Sequence, residues 1–109
     1  MNIDLALLRV LKYREQYDKV ARYIPREAMS KQTNALVKDI GKYFDNTEET
    51  KLDFTTFRSL FFTSYHKNLK DEDVKYYNTL LTNMETDVPE AVKKNMVNSL
   101  LEIKMATQV

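Results

Sequence analysis

One glycine and two prolines punctuate 109 residues, and that scarcity constrains the fold more than any other feature of the chain. An all-β protein turns sharply every few residues, and tight turns draw on glycine, proline and their companions. Here long unbroken stretches carry apolar residues at helical spacing instead. The chain is therefore expected to be all-α, a compact bundle of about six helices. A chain of this length forms one domain and buries roughly 65% of the surface its unfolded form exposes. Apolar residues at 43% and charged residues at 30% set it apart from disordered sequences.

The first helix is expected from the cap Asp4 to about Arg14. Leu5, Ala6, Leu7, Leu8, Val10 and Leu11 cover most of its circumference, leaving Arg9 and Lys12 as a narrow polar stripe. A helix apolar on nearly all sides belongs at the centre. The second, from about Gln16 to Ile24, places Tyr17, Val20, Ala21 and Ile24 on one face. Pro25 then turns the chain, because it has no N–H and clashes with a continuing helix. Ser30 is the expected cap of a third helix, whose inner face is Thr33, Leu36, Val37, Ile40, Tyr43 and Phe44. Gly41 inside it costs about 1 kcal/mol relative to alanine, which points to a close approach by a neighbouring helix.

Asp53 or Thr55 caps a fourth helix carrying Phe54, Phe57, Leu60, Phe61 and Tyr65. Asp71 caps a fifth with the stripe Val74, Tyr77, Leu81 and Met84. Asp87-Val88-Pro89-Glu90 opens the sixth as a capping box with proline in the first turn. The expected core contains Leu7, Leu8, Leu11, Leu36, Ile40, Phe44, Phe57, Leu60 and Phe61. The only segment with strand character is the aromatic run around Leu60–Phe62.

The chemistry on offer is narrow. With no cysteine and one histidine, His66, the chain lacks the donors of a zinc site, and no metal or cofactor is expected. No phosphate loop is present. Glu48/Glu49 and Asp71/Glu72/Asp73 stand in polar, cap-like contexts with nothing to tune them for acid–base work. No catalytic residue is therefore assigned, and the chain is expected not to be an enzyme. No window reaches the ~20 apolar residues of a membrane span. Asp4, Arg9 and Lys12 interrupt the one run that could form a signal peptide. The expected location is the cytoplasm, which the cysteine-free composition fits.

Charge is uneven. Residues 1–42 carry nine Lys/Arg against five Asp/Glu, and residues 43–90 carry five against ten. Such a dipolar surface orients charged partners. In the first third, Arg9, Lys12, Arg14, Lys19, Arg22 and Arg26 interleave with Tyr13, Tyr17 and Tyr23, a pattern that binds single strands by phosphate contact and stacking. Against it stand the near-neutral net charge and the place of Tyr17 on an apolar stripe. The sixth helix is the other candidate surface. Val92, Met96, Val97, Leu100, Leu101 and Ile103 spread wider than docking on one neighbour requires, which marks them as candidate partner-binding residues.

Leu7-Leu8-Arg9-Val10-Leu11 followed by Tyr17-Asp18-Lys19-Val20-Ala21 resembles the opening helix pair of the N-terminal domain of DnaB-type replicative helicases. Ser30 to Phe44 resembles that domain's third helix. Leu52-Asp53-Phe54-Thr55-Thr56-Phe57 is similar to the apolar-Asp-x-x-Thr-apolar entry into its next helix. Val88-Pro89-Glu90-Ala91 onward looks like the start of its protruding helical hairpin. The resemblance implies a globular head over residues 1–86 and the first arm of a hairpin over 87–109. It also implies a non-catalytic scaffold role, in which hairpins pair subunits in a hexamer collar and the collar recruits primase or a helicase loader. The chain departs from the family in length: it has neither the ATPase domain nor the second hairpin arm. It is accordingly expected to be a piece of a larger, phage-type helicase. The competing reading is a small stand-alone nucleic-acid-binding or regulatory protein acting through the basic N-terminal third. Steep weakening by salt would mark the second reading and not the first.

Overall fold

The computed structural model describes the backbone of residues 3–107 and the side chains of residues 4–99. Among the described residues six α-helices follow one another: α1 Ile3–Leu11, α2 Arg14–Val20, α3 Lys31–Asp45, α4 Phe54–Leu60, α5 Asp71–Met84 and α6 Glu90–Thr107. The all-α architecture is the one that the scarcity of breakers dictates. α1, apolar almost all round, lies at the centre and touches α2, α3, α5 and α6. Leu7, Leu8 and Leu11 from α1 meet Leu36, Val37 and Ile40 from α3, Phe57 and Phe61 from α4 and its extension, and Leu81 and Met84 from α5. Of the expected core, Leu60 alone is only partly buried and packs against the rim of the cluster.

Several helix ends differ from expectation for identifiable reasons. α1 stops at Leu11 rather than Arg14, because Tyr13 is extended and pairs with Lys51 in an antiparallel bridge. The Leu52 N–H donates to the Lys12 carbonyl at 2.8 Å, and the Arg14 N–H donates to the Thr50 carbonyl at 2.9 Å. This bridge, and not the aromatic run around Leu60–Phe62, is the β-type pairing among the described residues. α2 ends at Val20, and the chain continues through the tight 3-10 turns Ala21–Tyr23 and Arg26–Ala28 on either side of Pro25.

Asp4 does not cap α1. It lies inside that helix and accepts hydrogen bonds from the Ser30 N–H at 3.1 Å and the Thr33 hydroxyl at 2.7 Å. Ser30 in turn accepts from the Thr33 N–H at 3.1 Å, the expected cap. Burial opposes ionisation of Asp4, but these N–H and hydroxyl donors together hold its carboxyl below the usual range. α1 and the start of α3 are thus locked to one another.

Asp53 caps α4 through the Thr55 N–H at 3.2 Å. α4 ends at Leu60 and runs straight on into a π-helical turn, Phe61–Tyr65, closed by the His66 N–H on the Phe61 carbonyl at 2.8 Å. Asp71 is the first residue of α5 rather than its cap, and Lys70 holds the cap position without a side-chain bond. Asp71, Glu72 and Asp73 sit in the first turn, where the helix dipole favours negative charge. Gly41 does mark a close approach, but by a side chain: the Tyr17 hydroxyl and ring from α2 fill the space a Cβ would take.

Candidate interaction surface

The core just described ends at Met84, and the sixth helix begins six residues later. What orients α6 is the short link between them, residues 85–89. Lys12 is fully buried although it carries a charge. Its ammonium donates to the Met84 carbonyl at 2.7 Å and to the Thr86 carbonyl. Arg9 Nε donates to the Asn83 carbonyl at 2.8 Å. Together they satisfy carbonyls that the end of α5 leaves without partners, and they place positive charge at the negative pole of that helix. Burial, with Lys51 beside it, lowers the Lys12 ammonium to about 8 despite the opposing pull of Asp87.

The link is gripped on its other side by Asp87. Its carboxylate takes a hydrogen bond from Lys51 Nζ at 2.9 Å and a long one from the Tyr13 hydroxyl at 3.4 Å. That hydroxyl also accepts from the Val88 N–H at 3.3 Å. Asp87 therefore does not serve α6 in the expected capping box. The Lys51 hydrogen bond holds the Asp87 carboxyl below the usual range and raises Lys51 in return. The first turn of α6 hangs from the Pro89 carbonyl, which accepts from Val92 and Lys93 at 3.0 and 3.1 Å.

From this anchor α6 rests on α2, on the Ala21–Tyr23 turn and on α1. The candidate partner residues divide. Met96 and Val97 are partly buried and pack against the core. Val92 points outward and, with Tyr76, is one of two large apolar side chains that remain 47% exposed among the described residues. A groove of about 220 Å³ adjoins it, lined by Ala6, Arg9, Val88, Pro89 and Val92 among others. Leu100, Leu101 and Ile103 lie outside the residues whose side chains are described.

The basic N-terminal third looks different in three dimensions. Arg14 donates from Nη2 to the Phe44 and Thr47 carbonyls at 2.8 and 2.7 Å, and from Nε to the Glu49 carbonyl at 2.6 Å. Its guanidinium stacks 4.8 Å from the Phe44 ring. Arg9, Lys12 and Arg14 are thus engaged with main-chain carbonyls, and Tyr17 lies against Gly41 and Phe44. Lys19 pairs with Glu15 at 3.2 Å, while Arg22 covers the Tyr23 ring. Much of the basic and aromatic pattern therefore serves the fold.

Sequence reasoning missed the pairing of His66 with Asp39 and the burial of Lys12. Asp39 gave no signal, because its place on α3 relative to the apolar stripe reads as a flank. Lys12 did give one: a cation on a helix that must be buried has to find acceptors, and helix ends supply them. Among the described residues no group of three His, Cys, Asp or Glu is placed to hold a metal ion, and no helix is long and apolar enough to cross a membrane. No protein-family model, curated protein or solved structure matches the chain.

Proposed function

We propose that this chain is a non-catalytic helical interaction domain of the kind that forms the N-terminal head of DnaB-type replicative helicases, with α6 as its pairing arm. The observation that carries this reading is the division between head and arm. Among the residues whose side chains are described, every member of the buried core falls between Leu7 and Met84. α6 follows as 18 further residues, about 27 Å of helix at 1.5 Å per residue. Its described apolar side chains include one, Val92, that stays half exposed at an open groove between α6 and α1. The stretches that carry the resemblance, Leu7–Leu11, Ser30–Phe44, Leu52–Phe57 and Val88–Ala91, fall in α1, in α3 and at the starts of α4 and α6.

In this reading the head supplies a rigid base and α6 associates with another copy, which supports subunit pairing and recruitment of primase or a loader. An arm presenting a modest apolar stripe pairs with dissociation constants near the micromolar range, about −8 kcal/mol. Sedimentation over a range of concentrations is the test, on the wild type and on Val92→Asp and Leu100→Asp. Reversible self-association of the wild type, lost in either variant with helicity retained, is the expected result. A wild type that stays monomeric at millimolar concentration would overturn the reading. The consumption of Arg9, Lys12 and Arg14 by carbonyls favours this reading over a nucleic-acid-binding role for the N-terminal third.

A further inference from the structure

Three ammonium groups from distant parts of the chain converge on the ring of Tyr13. Lys93 Nζ from α6 stands 3.7 Å from the ring centroid, Lys12 Nζ from the turn after α1 5.3 Å, and Lys51 Nζ from the loop before α4 5.6 Å. Arg9 adds a fourth cation close enough to act on Lys12. Two carboxylates answer them: Asp87 on Lys51 at 2.9 Å and Glu90 on Lys93 at 3.0 Å. Like charges this close repel, and the ring faces offset only part of that repulsion. Around the Tyr13 ring itself the cations outnumber the two carboxylates that pair with them.

Access to it is graded. Lys12 is buried with its donors committed to carbonyls, so it acts as a fixed charge behind the site. Lys51 and Asp87 are open, with side chains 47% and 81% exposed. An exposed carboxylate bridging an ammonium and a phenol hydroxyl occupies the position that the oxygens of a bound oxyanion take. We propose that the Tyr13, Lys51 and Lys93 cluster binds a small phosphate group, with the Asp87 carboxylate as its internal competitor.

Size and surroundings select the ligand. Beside the cluster lies a groove of about 300 Å³ lined by Tyr13, Arg14, Thr50 and Lys93, together with the carboxylates of Glu15 and Asp18. The groove shares Tyr13 and Lys93 with the cluster, and its Glu15 and Asp18 repel the further charges of a nucleic-acid strand. Lys93 lies over the Tyr13 ring, where a base would otherwise stack. The phosphate is therefore free phosphate, or the terminal group of a nucleotide whose inner phosphates lie on the side away from Glu15 and Asp18, bound without hydrolysis. Because Asp87 belongs to the link that orients α6, occupancy exchanges one of the contacts that hold the arm. The site does not depend on what α6 pairs with.

The test is an NMR titration of the labelled chain with inorganic phosphate and, separately, with a nucleoside triphosphate. Sodium chloride at matched ionic strength is the control. Shifts should centre on the amides of Tyr13, Lys51, Asp87 and Val88. Asp87→Asn removes the competitor and should tighten binding about tenfold, whereas Lys51→Met should weaken it by about tenfold or more. Lys93→Met should weaken it likewise, and the exposed Lys51 carries the test if Lys93→Met unfolds. Tighter binding of the nucleotide than of phosphate identifies a terminal phosphate, and equal binding identifies the free ion; both support the site. Shifts no larger than those in chloride, or an affinity unchanged by Asp87→Asn, would overturn it.

Discussion

His66 Nε2 lies 2.5 Å from Oδ2 of Asp39, and that carboxylate is buried, with its residue 2% exposed. Asp39 sits on α3 and His66 directly follows the widened turn after α4, which brings the two together. The π-helical turn at Phe61–Tyr65 adds a residue to the helical circuit and delivers the His66 ring onto α3, tilted against Phe61 and parallel to the more distant Tyr77 ring. Such π turns recur where a fold must place one side chain. Lys42 reaches the other carboxylate oxygen at 3.7 Å from an exposed position, so it contributes little.

Asp39→Ala should destabilise the fold by about 1.5–3 kcal/mol, the range for a hydrogen bond involving a charged group. His66→Ala should cost a similar amount through the same contact. Because the residues act as one unit, the double variant should cost clearly less than the two singles combined. Urea unfolding of the three variants decides it, and additive losses would show that the contact contributes nothing of its own.

The buried Lys12 makes a distinct pH prediction. Its ammonium is lowered to about 8 by burial and by Lys51, against about 10.4 in an unfolded chain. Between these values the unfolded state holds the proton and the folded state has released it. Stability on this account rises with pH from about 8 to 10.5, by at most about 3 kcal/mol. Below pH 8 both states are charged and the contribution is flat. Lys12→Met removes the titration, so the stability difference between wild type and variant should move in favour of the wild type across that window. Denaturant unfolding of both chains at pH 7 and pH 10 measures it; a difference that stays constant would refute the assignment.

Gly41 and Tyr17 make a pair of opposing effects. Replacing glycine by alanine in a helix normally gains about 1 kcal/mol, but here the new methyl meets the Tyr17 hydroxyl and ring. Tyr17 cannot swing freely, because its ring packs edge-on against Phe44 with centroids 5.7 Å apart. Gly41→Ala should therefore lose about 1–3 kcal/mol through overpacking. Adding Tyr17→Phe removes the closest atom and should recover part of that loss. Thermal unfolding of the single and double variants checks the order, and a stabilised Gly41→Ala would contradict it.

How much of this was legible in the sequence follows from what each signal depends on. The apolar stripes of α1, α3 and α5 could be read because periodicity reports burial directly: Leu11, Ile40 and Leu81 are all buried. Ser30 and Asp53 could be read as caps because a cap acts within three residues. Asp4 and Asp87 have the same cap-like look, yet they serve partners 26 and 36 residues away, Ser30 and Lys51. No local pattern separates the two uses of an aspartate. The π turn was likewise invisible, since Phe61, Phe62 and Tyr65 suit an α-helix as well. For α6 the apolar arc did not show how its residues divide: Met96 and Val97 pack against the head while Val92 stays half exposed. That division depends on how residues 85–89 are gripped, and the grip depends on Lys12 and Tyr13, more than 70 residues earlier.

That division yields a final prediction about α6 itself. Met96 packs against the core, so Met96→Asp forces a carboxylate into apolar surroundings or pulls the helix off the head. A loss of roughly 2–4 kcal/mol is expected, within the range for an unpaired polar group introduced into a packed site. Val92 is 47% exposed, and Val92→Asp near the start of α6 meets the positive pole of the helix. Its effect on stability should stay within about 0.5 kcal/mol. Circular dichroism during urea unfolding, at a concentration low enough to exclude association, compares the two on equal terms. Equal losses from both substitutions would mean that α6 is buried all round. Equal tolerance would mean that α6 does not rest on the head in solution, and the grip of Lys12, Tyr13 and Lys51 on the link would then not set its direction.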